Sequence, residues 1–202
     1  MNQRIFTLRI DTHQVAETME EVQRLRAGLA DRRHLHARMA TTAAEETRRH
    51  VRGLNRHGSA QRLGAKPTQF HAKQAREIEA DSNAETAIIR LPRAGLARAF
   101  GDILIRPGSG KKLLTIPADK RTYGKRVGDF PEGTFAFAFS VERRTPLLVF
   151  ADGSGVAYFM KPWVLQKQDR GLLPTDKFYR TLARREVDGY IDELLTGNGG
   201  QA

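Results

Sequence analysis

Hydrophobic residues recur along this chain with two different periods, and the change between them limits the folds that it can adopt. Between Val15 and Leu54 the apolar side chains are spaced three or four residues apart, which predicts α-helix. From residue 86 onward the spacing falls to two, which predicts β-strands. A helical segment followed by strands and a closing helix predicts an α+β fold with a mostly antiparallel sheet and long hairpin loops.

The beginning of the chain combines a short alternating segment with the helical pattern. Residues 5–10 alternate in polarity and predict a strand. Asp11, followed three residues later by Gln14, resembles a capping box at a helix start. Gly28 and Asp31 mark a kink or a break, so the sequence predicts one long helix or two in tandem.

Composition and periodicity divide the chain into four segments. Residues 1–57 are predicted to form the N-terminal strand and a helical arm. Residues 58–83 contain several Gly, Pro and polar residues and are predicted to be a linker with a short helix. Residues 84–196 are predicted to form the antiparallel sheet and the C-terminal helix, and residues 197–202 a flexible tail.

Six segments of the third region show strand patterns. They are 86–91, 102–106, 112–116, 134–141, 146–151 and 156–161. The four residues Asp152–Gly155 (DGSG) predict a hairpin between the last two. Pro107–Gly110 (PGSG) predicts a second hairpin, which would join the strands at 102–106 and 112–116.

Three phenylalanines alternate along the fourth of these strands. Phe135, Phe137 and Phe139 occupy one face of it, and small residues occupy the other. We expect all three rings to point into the core, where they would pack against Leu148, Phe150, Phe178 and Leu182.

No set of residues in the sequence predicts catalysis. The chain has no cysteine, and no His-Glu-x-x-His pattern occurs. His34 and His36 are two positions apart on a predicted helix, where their side chains diverge too far to share a metal ion. The segment Gly108–Lys112 (GSGKK) lacks the first glycine and the hydroxyl of a phosphate-binding loop. We therefore predict a protein that is not an enzyme, with no catalytic, cofactor-binding or metal-binding residue.

Membrane insertion is not predicted either. No stretch approaches the ~18 apolar residues that a spanning helix requires. The first residues also lack the apolar core of a secretory signal. We therefore expect a soluble, basic, cytoplasmic globular protein.

Positive charge is concentrated in one segment. The chain has 34 Lys and Arg residues against 23 Asp and Glu residues, a net charge of +11. Residues 103–126 hold seven of the basic residues and only one acidic residue, Asp119. We predict these seven as interface residues: Arg106, Lys111, Lys112, Lys120, Arg121, Lys125 and Arg126.

The basic segment allows three interpretations: a solvated loop, a nucleic-acid contact and a protein interface. Nucleic-acid binding would gain from aromatic residues among the cations, and Tyr123 alone is present. We expect residues 106–126 to form an extended hairpin loop that reaches an adjacent subunit, with Leu113, Leu114 and Ile116 holding its base to the sheet.

Short motifs in residues 100–182 resemble tailed-bacteriophage virion morphogenesis proteins of the tail-completion or head–tail joining kind, as found in phages with Mu-like morphogenesis genes. The motifs are Leu114–Ala118 (LTIPA) with Tyr123–Arg126 (YGKR) after it, a hairpin like Pro146–Phe159, and Val164–Lys167 (VLQK). The commoner family pattern has Pro-Arg-Pro-Phe where this chain has residues 174–178 (PTDKF). The exact subfamily therefore stays open between a tail-completion protein, a stopper and a tail terminator.

The resemblance implies a structural virion protein of the phage neck, assembled in the host cytoplasm. It implies a homo-oligomeric ring that joins head and tail, with portal or connector proteins and tail-terminator or tail-tube proteins as partners. Whether the basic loop makes transient contact with DNA is left open. The resemblance implies no cofactor and no catalytic residue.

Two other functions remain as alternatives. The net charge of +11 allows a basic nucleic-acid-binding protein, whose DNA binding would be sensitive to salt and indifferent to sequence. A small nuclease or toxin is less favoured, because paired acids and metal ligands are missing from the sequence.

Overall fold

The structure, a computed structural model, describes residues 12–54, 58–142 and 144–196. The helices are α1 (Thr12–Ala30), α2 (Arg33–Gly53), α3 (Ser59–Arg62), α4 (Phe70–Arg76), α5 (Arg93–Leu96) and α6 (Asp176–Thr196). The strands are β1 (Glu79–Ser82), β2 (Ala87–Arg90), β3 (Ile103–Ile105), β4 (Leu114–Pro117), β5 (Phe135–Ser140), β6 (Thr145–Phe150), β7 (Val156–Lys161) and β8 (Val164–Gln166). The α+β class predicted from the sequence is confirmed. The predicted strand at 5–10, the Asp11 cap and the tail at 197–202 lie outside the described residues.

The chain divides into two compact units, each made of segments that are distant in sequence. The described part of the first unit comprises residues 12–44, 80–89 and 175–196. The second unit is formed by residues 45–79 and 90–174. The stretch predicted as a linker contains α3, α4 and β1, more regular structure than the single short helix expected there.

The break predicted near Asp31 separates α1 from α2. The Asp31 carboxylate accepts hydrogen bonds from the backbone N–H of Arg33, at 3.1 Å, and from its guanidinium group. These bonds, the side-chain bond first, lower the pKa of Asp31 to about 2. An acceptor at this position satisfies a free N–H of the first turn of α2, so the carboxylate starts the second helix.

Close contact between α1 and α6 organises the first unit. A Cβ added at Gly28 would lie 2.5 Å from the Leu194 methyl carbons, so glycine permits this approach. The hydroxyl group of buried Tyr190 donates to the Gly28 carbonyl at 3.1 Å. On α2, the Arg38 guanidinium lies 2.6 Å from the Glu193 carboxylate and 3.5 Å from that of buried Glu186. These contacts hold the three helices together.

The hairpin β1–β2 carries a polar turn. The Asn83 side-chain oxygen accepts hydrogen bonds from the backbone N–H groups of Glu85 and Thr86, each at 2.8 Å. The Asn83 carbonyl lies 3.0 Å from Nδ1 of His36 on α2. The turn is therefore held by its own asparagine and by the helix beside it.

Helical segments of the second unit are joined through backbone carbonyl groups. The Arg48 guanidinium donates to the carbonyl oxygen of buried Ile78 at 2.6 Å. Nε2 of His50 lies 2.8 Å from the Gly171 carbonyl oxygen. Ile78 lies between α4 and β1, and Gly171 lies in a short 3-10 helix at residues 170–172, so both bonds satisfy carbonyl groups outside the α-helices and sheets.

The second unit contains two separate antiparallel sheets. β3 pairs with β8, and a four-stranded sheet has the order β4-β7-β6-β5. The strands predicted at 102–106 and 112–116 therefore exist, but the hairpin predicted between them at Pro107–Gly110 is wrong. That segment crosses from one sheet to the other, because each flanking strand pairs with a partner much later in the chain.

The hairpin predicted at Asp152–Gly155 is confirmed. It joins β6 to β7, which pair antiparallel with Leu148 opposite Tyr158. Gly153 and Gly155 both have positive φ, at 74° and 127°, which glycine adopts without strain. The Asp152 carboxylate accepts from the backbone N–H of Ser154 at 2.8 Å and closes the turn.

The phenylalanine prediction is correct for one end of β5 and wrong for the other. Phe135 packs against Phe130, Phe150 and Tyr158, with ring centroids 5.0 to 5.5 Å apart. Phe137 and Phe139 are instead 68% and 58% exposed. The alternating pattern identifies residues that share a face, but only the Phe135 end of that face is covered, by residues 127–130. Of the partners predicted in α6, Phe178 and Leu182 belong to the first unit, and Phe178 is exposed.

We predict that Phe150 and Phe137 contribute very differently to stability. Replacing buried Phe150 by Ala should cost about 3–5 kcal/mol of unfolding free energy, since the change leaves a cavity beside Tyr158. Phe137→Ala should cost about 0.5 kcal/mol or less, because the ring is mostly exposed. Urea unfolding followed by the fluorescence of Trp163, the only tryptophan and a residue of the second unit, measures both. Equal losses in the two variants would contradict the assignment.

Candidate interaction surface

The seven predicted interface residues are all exposed, but they do not form one loop. Lys111 and Lys112 precede β4, whereas Lys120 follows it. The strand between them pairs with β7 along its length. At about 3.3 Å per residue, four strand residues separate the two basic groups by roughly 13 Å. The predicted extended hairpin loop at 106–126 is thus wrong. The structure shows two basic loops at opposite ends of the outer strand β4: the first basic loop, residues 106–113, precedes it, and the second basic loop, residues 118–126, follows it.

Two of the seven cations have side-chain partners in the second basic loop, and a third, Arg126, is held there only through its backbone. The Arg121 guanidinium lies 3.0 Å from the Asp119 carboxylate and 3.6 Å above the centre of the Phe150 ring. Lys125 places its ammonium 5.1 Å from the centre of the Phe130 ring. The backbone N–H of Arg126 donates to the Asp129 carboxylate at 2.7 Å. Two of these side chains, those of Arg121 and Lys125, therefore cover apolar surface of the same sheet.

The remaining four cations are the better candidates for contacts with another molecule. Within the described part of the chain, Arg106, Lys111, Lys112 and Lys120 form no ion pair or side-chain hydrogen bond. Since an exposed charge without a partner is fully available, these four side chains define what we call the basic set.

Hydrogen bonds to β7 give the second basic loop a fixed shape. Buried Thr122 directs its hydroxyl oxygen to within 2.9 Å of the carbonyl oxygens of Asp119 and Ala157. The Tyr158 hydroxyl donates to the Lys125 carbonyl at 3.1 Å. Burial, together with the nearby charge of Asp129, raises the pKa of Tyr158 and keeps it a donor. The loop is therefore anchored at two points along its length.

Exposed apolar residues form a second feature of the surface. Phe137, Phe139 and Val141 lie on one face of β5 and just beyond it, and Val141 is 83% exposed. On the same face, β6 places Pro146 and Leu148 directly opposite Phe139 and Phe137. We call Phe137, Phe139 and Val141 the aromatic edge. Their large apolar side chains are exposed to water on an outer strand. The signal for the aromatic edge in the sequence is the alternation of phenylalanines in β5, which predicts that these rings are buried in the core.

A cavity of about 890 Å³ in the second unit was not predicted from the sequence. Phe70, His71 and Tyr123 contribute to its lining, as do Arg98 and Asp169. The last two side chains pair at 2.6 Å. Burial, and secondarily the charge of Arg98, lowers the pKa of His71 and favours its neutral form. Because the Arg98 and Asp169 side chains pair with each other, their charges do not indicate the charge of a ligand for this cavity.

The described residues contain neither a cluster of metal ligands nor a membrane-spanning helix. Residues 12–54, 58–142 and 144–196 contain no group of three acidic, histidine or cysteine side chains placed to hold a metal ion. Within the same ranges, no helix is both long and apolar enough to cross a membrane. That the chain has no enzymatic activity stays a prediction.

Comparisons with known proteins do not test the resemblance to phage proteins. Family models, curated proteins and solved structures give no match to this chain.

We predict that Gly124 is required for the shape of the second basic loop. Its φ of 76° is left-handed, and an added Cβ would lie 2.6 Å from a Thr68 methyl group. Gly124→Ala should therefore lower the unfolding free energy by about 1–2 kcal/mol or more. Gly128→Ala is the matched control, since open space surrounds that residue and its φ is not positive. Thermal unfolding that is equally affected by both changes would contradict this prediction.

We also predict that the Asp119–Arg121 pair makes stability depend on pH. The Arg121 side chain, then its backbone N–H, lowers the pKa of Asp119 below its usual value. A lowered folded-state pKa adds stability above the unfolded value near ~4, and this stability is lost as pH falls through the folded pKa. The stability gap between wild type and Asp119→Asn should be present at neutral pH and should close in acid. A gap of the same size at neutral and at acid pH would contradict this prediction.

Proposed function

We propose that this protein is a structural virion protein of the phage neck or tail-completion region, which forms a ring between head and tail. The single observation that carries the proposal is the pair of surfaces on one sheet. Lys111, Lys112 and Lys120 of the basic set flank its outer strand β4, and the aromatic edge occupies its other outer strand, β5. A protein that functions by binding copies of itself and adjacent proteins needs such surfaces and needs no catalytic group.

The resemblance of residues 100–182 to head–tail joining proteins supports the same proposal. Two of its motifs coincide with structural features of the surface. Leu114–Ala118 contains β4, and Tyr123–Arg126 contains the positive-φ Gly124 and the carbonyl that binds Tyr158. Residues of the motif thus support the geometry of the basic loops.

In this proposal, the basic set contacts acidic surfaces of the portal, connector or tail proteins. Long, flexible cations on short loops give such contacts orientation and a faster encounter more than they give affinity. Arg121 and Lys125 have a supporting role, since their side chains lie against the Phe150 and Phe130 rings, and Arg126 contributes a backbone N–H to its own turn.

We predict that the basic set is required for head–tail joining and dispensable for folding. Replacing Arg106, Lys111, Lys112 and Lys120 by Ser in a phage that encodes this chain should leave the purified protein folded, because exposed charges contribute little to stability. Electron microscopy should show separate filled heads and tails. A control that replaces Lys66, Lys73, Arg76 and Arg170 removes the same charge from elsewhere on the second unit and should leave joining intact.

Wild-type numbers of infectious particles from the first variant would refute this role. If joining persisted while the purified variant lost salt-sensitive binding to DNA, nucleic-acid binding would replace the neck proposal. The control variant loses the same number of positive charges at other positions. A difference between the two variants therefore reflects a local contact and not the general effect of a net charge of +11.

A further inference from the structure

The two-stranded sheet of β3 and β8 presents one of its faces to solvent. Along both strands, exposed residues alternate with half-buried ones. Ile105 and Gln166, on the half-buried face, contribute to the lining of the cavity. On the other face Leu104 lies directly opposite Leu165, and the two side chains are 46% and 44% exposed. Two leucines are therefore exposed side by side.

Trp163 extends this apolar face toward β7. It lies two residues before Leu165, and its side chain is 55% exposed. Because side chains alternate along an extended backbone, Trp163 and Leu165 share a face. We call Leu104, Trp163 and Leu165 the ribbon face. A tryptophan exposed beside two leucines is typical of a surface that binds another protein.

The first basic loop lies beside the ribbon face, although the two are distant in sequence. The pairing of β3 with β8 ends at Ile105 and Val164, and the pairing of β4 with β7 begins at Leu114 and Lys161. The first basic loop and the short stretch that contains Trp163 therefore connect the same two sheets, side by side. More than fifty residues separate the cations of this loop from Trp163 in the sequence.

Positive charge from three segments collects at the adjoining end of the four-stranded sheet. Lys111 and Lys112 precede β4, and Lys161 ends β7 with its ammonium group 3.4 Å from the Thr145 hydroxyl at the start of β6. Residues 142–144 (ERR), between β5 and β6, add one further positive charge. Because neighbouring strands are antiparallel, all of these positions lie at one end of the sheet. This end therefore favours an anionic partner.

The acidic residue nearest to the ribbon face does not offset this charge. Asp102 is the only acidic residue between positions 100 and 113. Its carboxylate lies 2.8 Å from the Lys167 ammonium group and accepts a hydrogen bond from the Gln168 N–H at 2.8 Å. The ribbon face thus has a neutral ion pair at one end and the cations of the first basic loop at the other.

The exposed leucines favour a protein over a nucleic acid as the partner. A nucleic acid would use the cations through its phosphates and Trp163 through base stacking, but it offers little apolar surface to aliphatic side chains. An acidic protein segment that also carries apolar side chains matches both features. Burial of Leu104 and Leu165 would then add to the affinity.

We propose that the ribbon face and the first basic loop together bind an adjacent protein whose contact segment places apolar side chains between carboxylates. The inference rests on the proposed function, which it deepens by naming the chemistry of the partner. The ribbon face supplies the apolar contact, and Arg106, Lys111 and Lys112 pair with the carboxylates. Lys120, at the opposite end of β4, takes no part in this contact.

Synthetic peptides test the chemistry of this surface. A fluorescein-labelled peptide of twelve residues, made of four Leu, four Glu and four Ser, should bind the full-length protein and raise the anisotropy of its label. Peptides with Ser in place of Leu, or with Gln in place of Glu, should bind at least tenfold more weakly. The unlabelled first peptide should also shift the emission of Trp163, the only tryptophan, to shorter wavelengths, since its indole leaves water.

Matched substitutions locate the contact on the protein. Trp163→Ser should weaken binding of the first peptide by tenfold or more and Lys112→Ser by threefold or more, whereas Trp163→Phe should bind more tightly than Trp163→Ser. Lys120→Ser removes the same charge at the other end of β4, and Phe137→Ser removes an exposed ring from β5. Both control variants should bind like the wild type, and circular dichroism checks that every variant is folded.

Three results would overturn the proposal. They are an unchanged emission of Trp163, a control peptide that binds as tightly as the first one, and a single-stranded oligothymidylate of twelve nucleotides that binds more tightly, which would identify nucleic acid as the partner. Phage assembly separates this failure from failure of the proposed function. Normal joining by Trp163→Ser phage, when the basic-set variant fails to join, would refute only the ribbon face. The expected peptide binding by a chain that joining does not require would refute only the neck function.

Discussion

The hydrogen bonds that tie the second basic loop to β7 determine much of the surface of the second unit. Thr122 and Tyr158 anchor the loop from both sides, and Arg121 then lies flat on Phe150. Val127 and Phe130, which directly follow the loop, cover one end of the sheet face and pack with Phe135 against the core. The same arrangement leaves the opposite end, at Phe139, without cover. The loop therefore holds Arg121 and Lys125 against the protein, whereas Arg106, Lys111 and Lys112 lie outside it, before β4.

Features set by nearby residues could be predicted from the sequence. The break at Asp31 depends on a carboxylate two positions from the N–H group that it binds. The hairpin at Asp152–Gly155 depends on glycines with positive φ and an aspartate that closes the turn. The exposure of the basic set follows from charge alone. Each of these signals lies within a few residues of the structure that it determines, so one sequence is enough to find it.

Features set by distant residues could not be predicted. The Pro107–Gly110 turn has the composition of a hairpin, but β3 pairs with β8 and β4 with β7, over sixty and forty residues away. The alternation in β5 shows which rings share a face and says nothing about what covers that face. The compact units likewise combine α1 with α6 across most of the chain. Periodicity measures local spacing, and these outcomes depend on long-range pairing.

The distribution of charge relates the proposed ring to its neighbours. A subunit with a net charge of +11 repels its own copies, so contacts between copies require local complementarity to offset the repulsion. Part of the positive charge is already offset within the second basic loop, since the Asp119 carboxylate lies 3.0 Å from the Arg121 guanidinium. Arg106, Lys111 and Lys112 form no ion pair within the described part of the chain, so their charges are available to an acidic portal or tail surface. In the proposed neck, the cations that contact an adjacent protein are therefore those that no carboxylate of the same chain offsets.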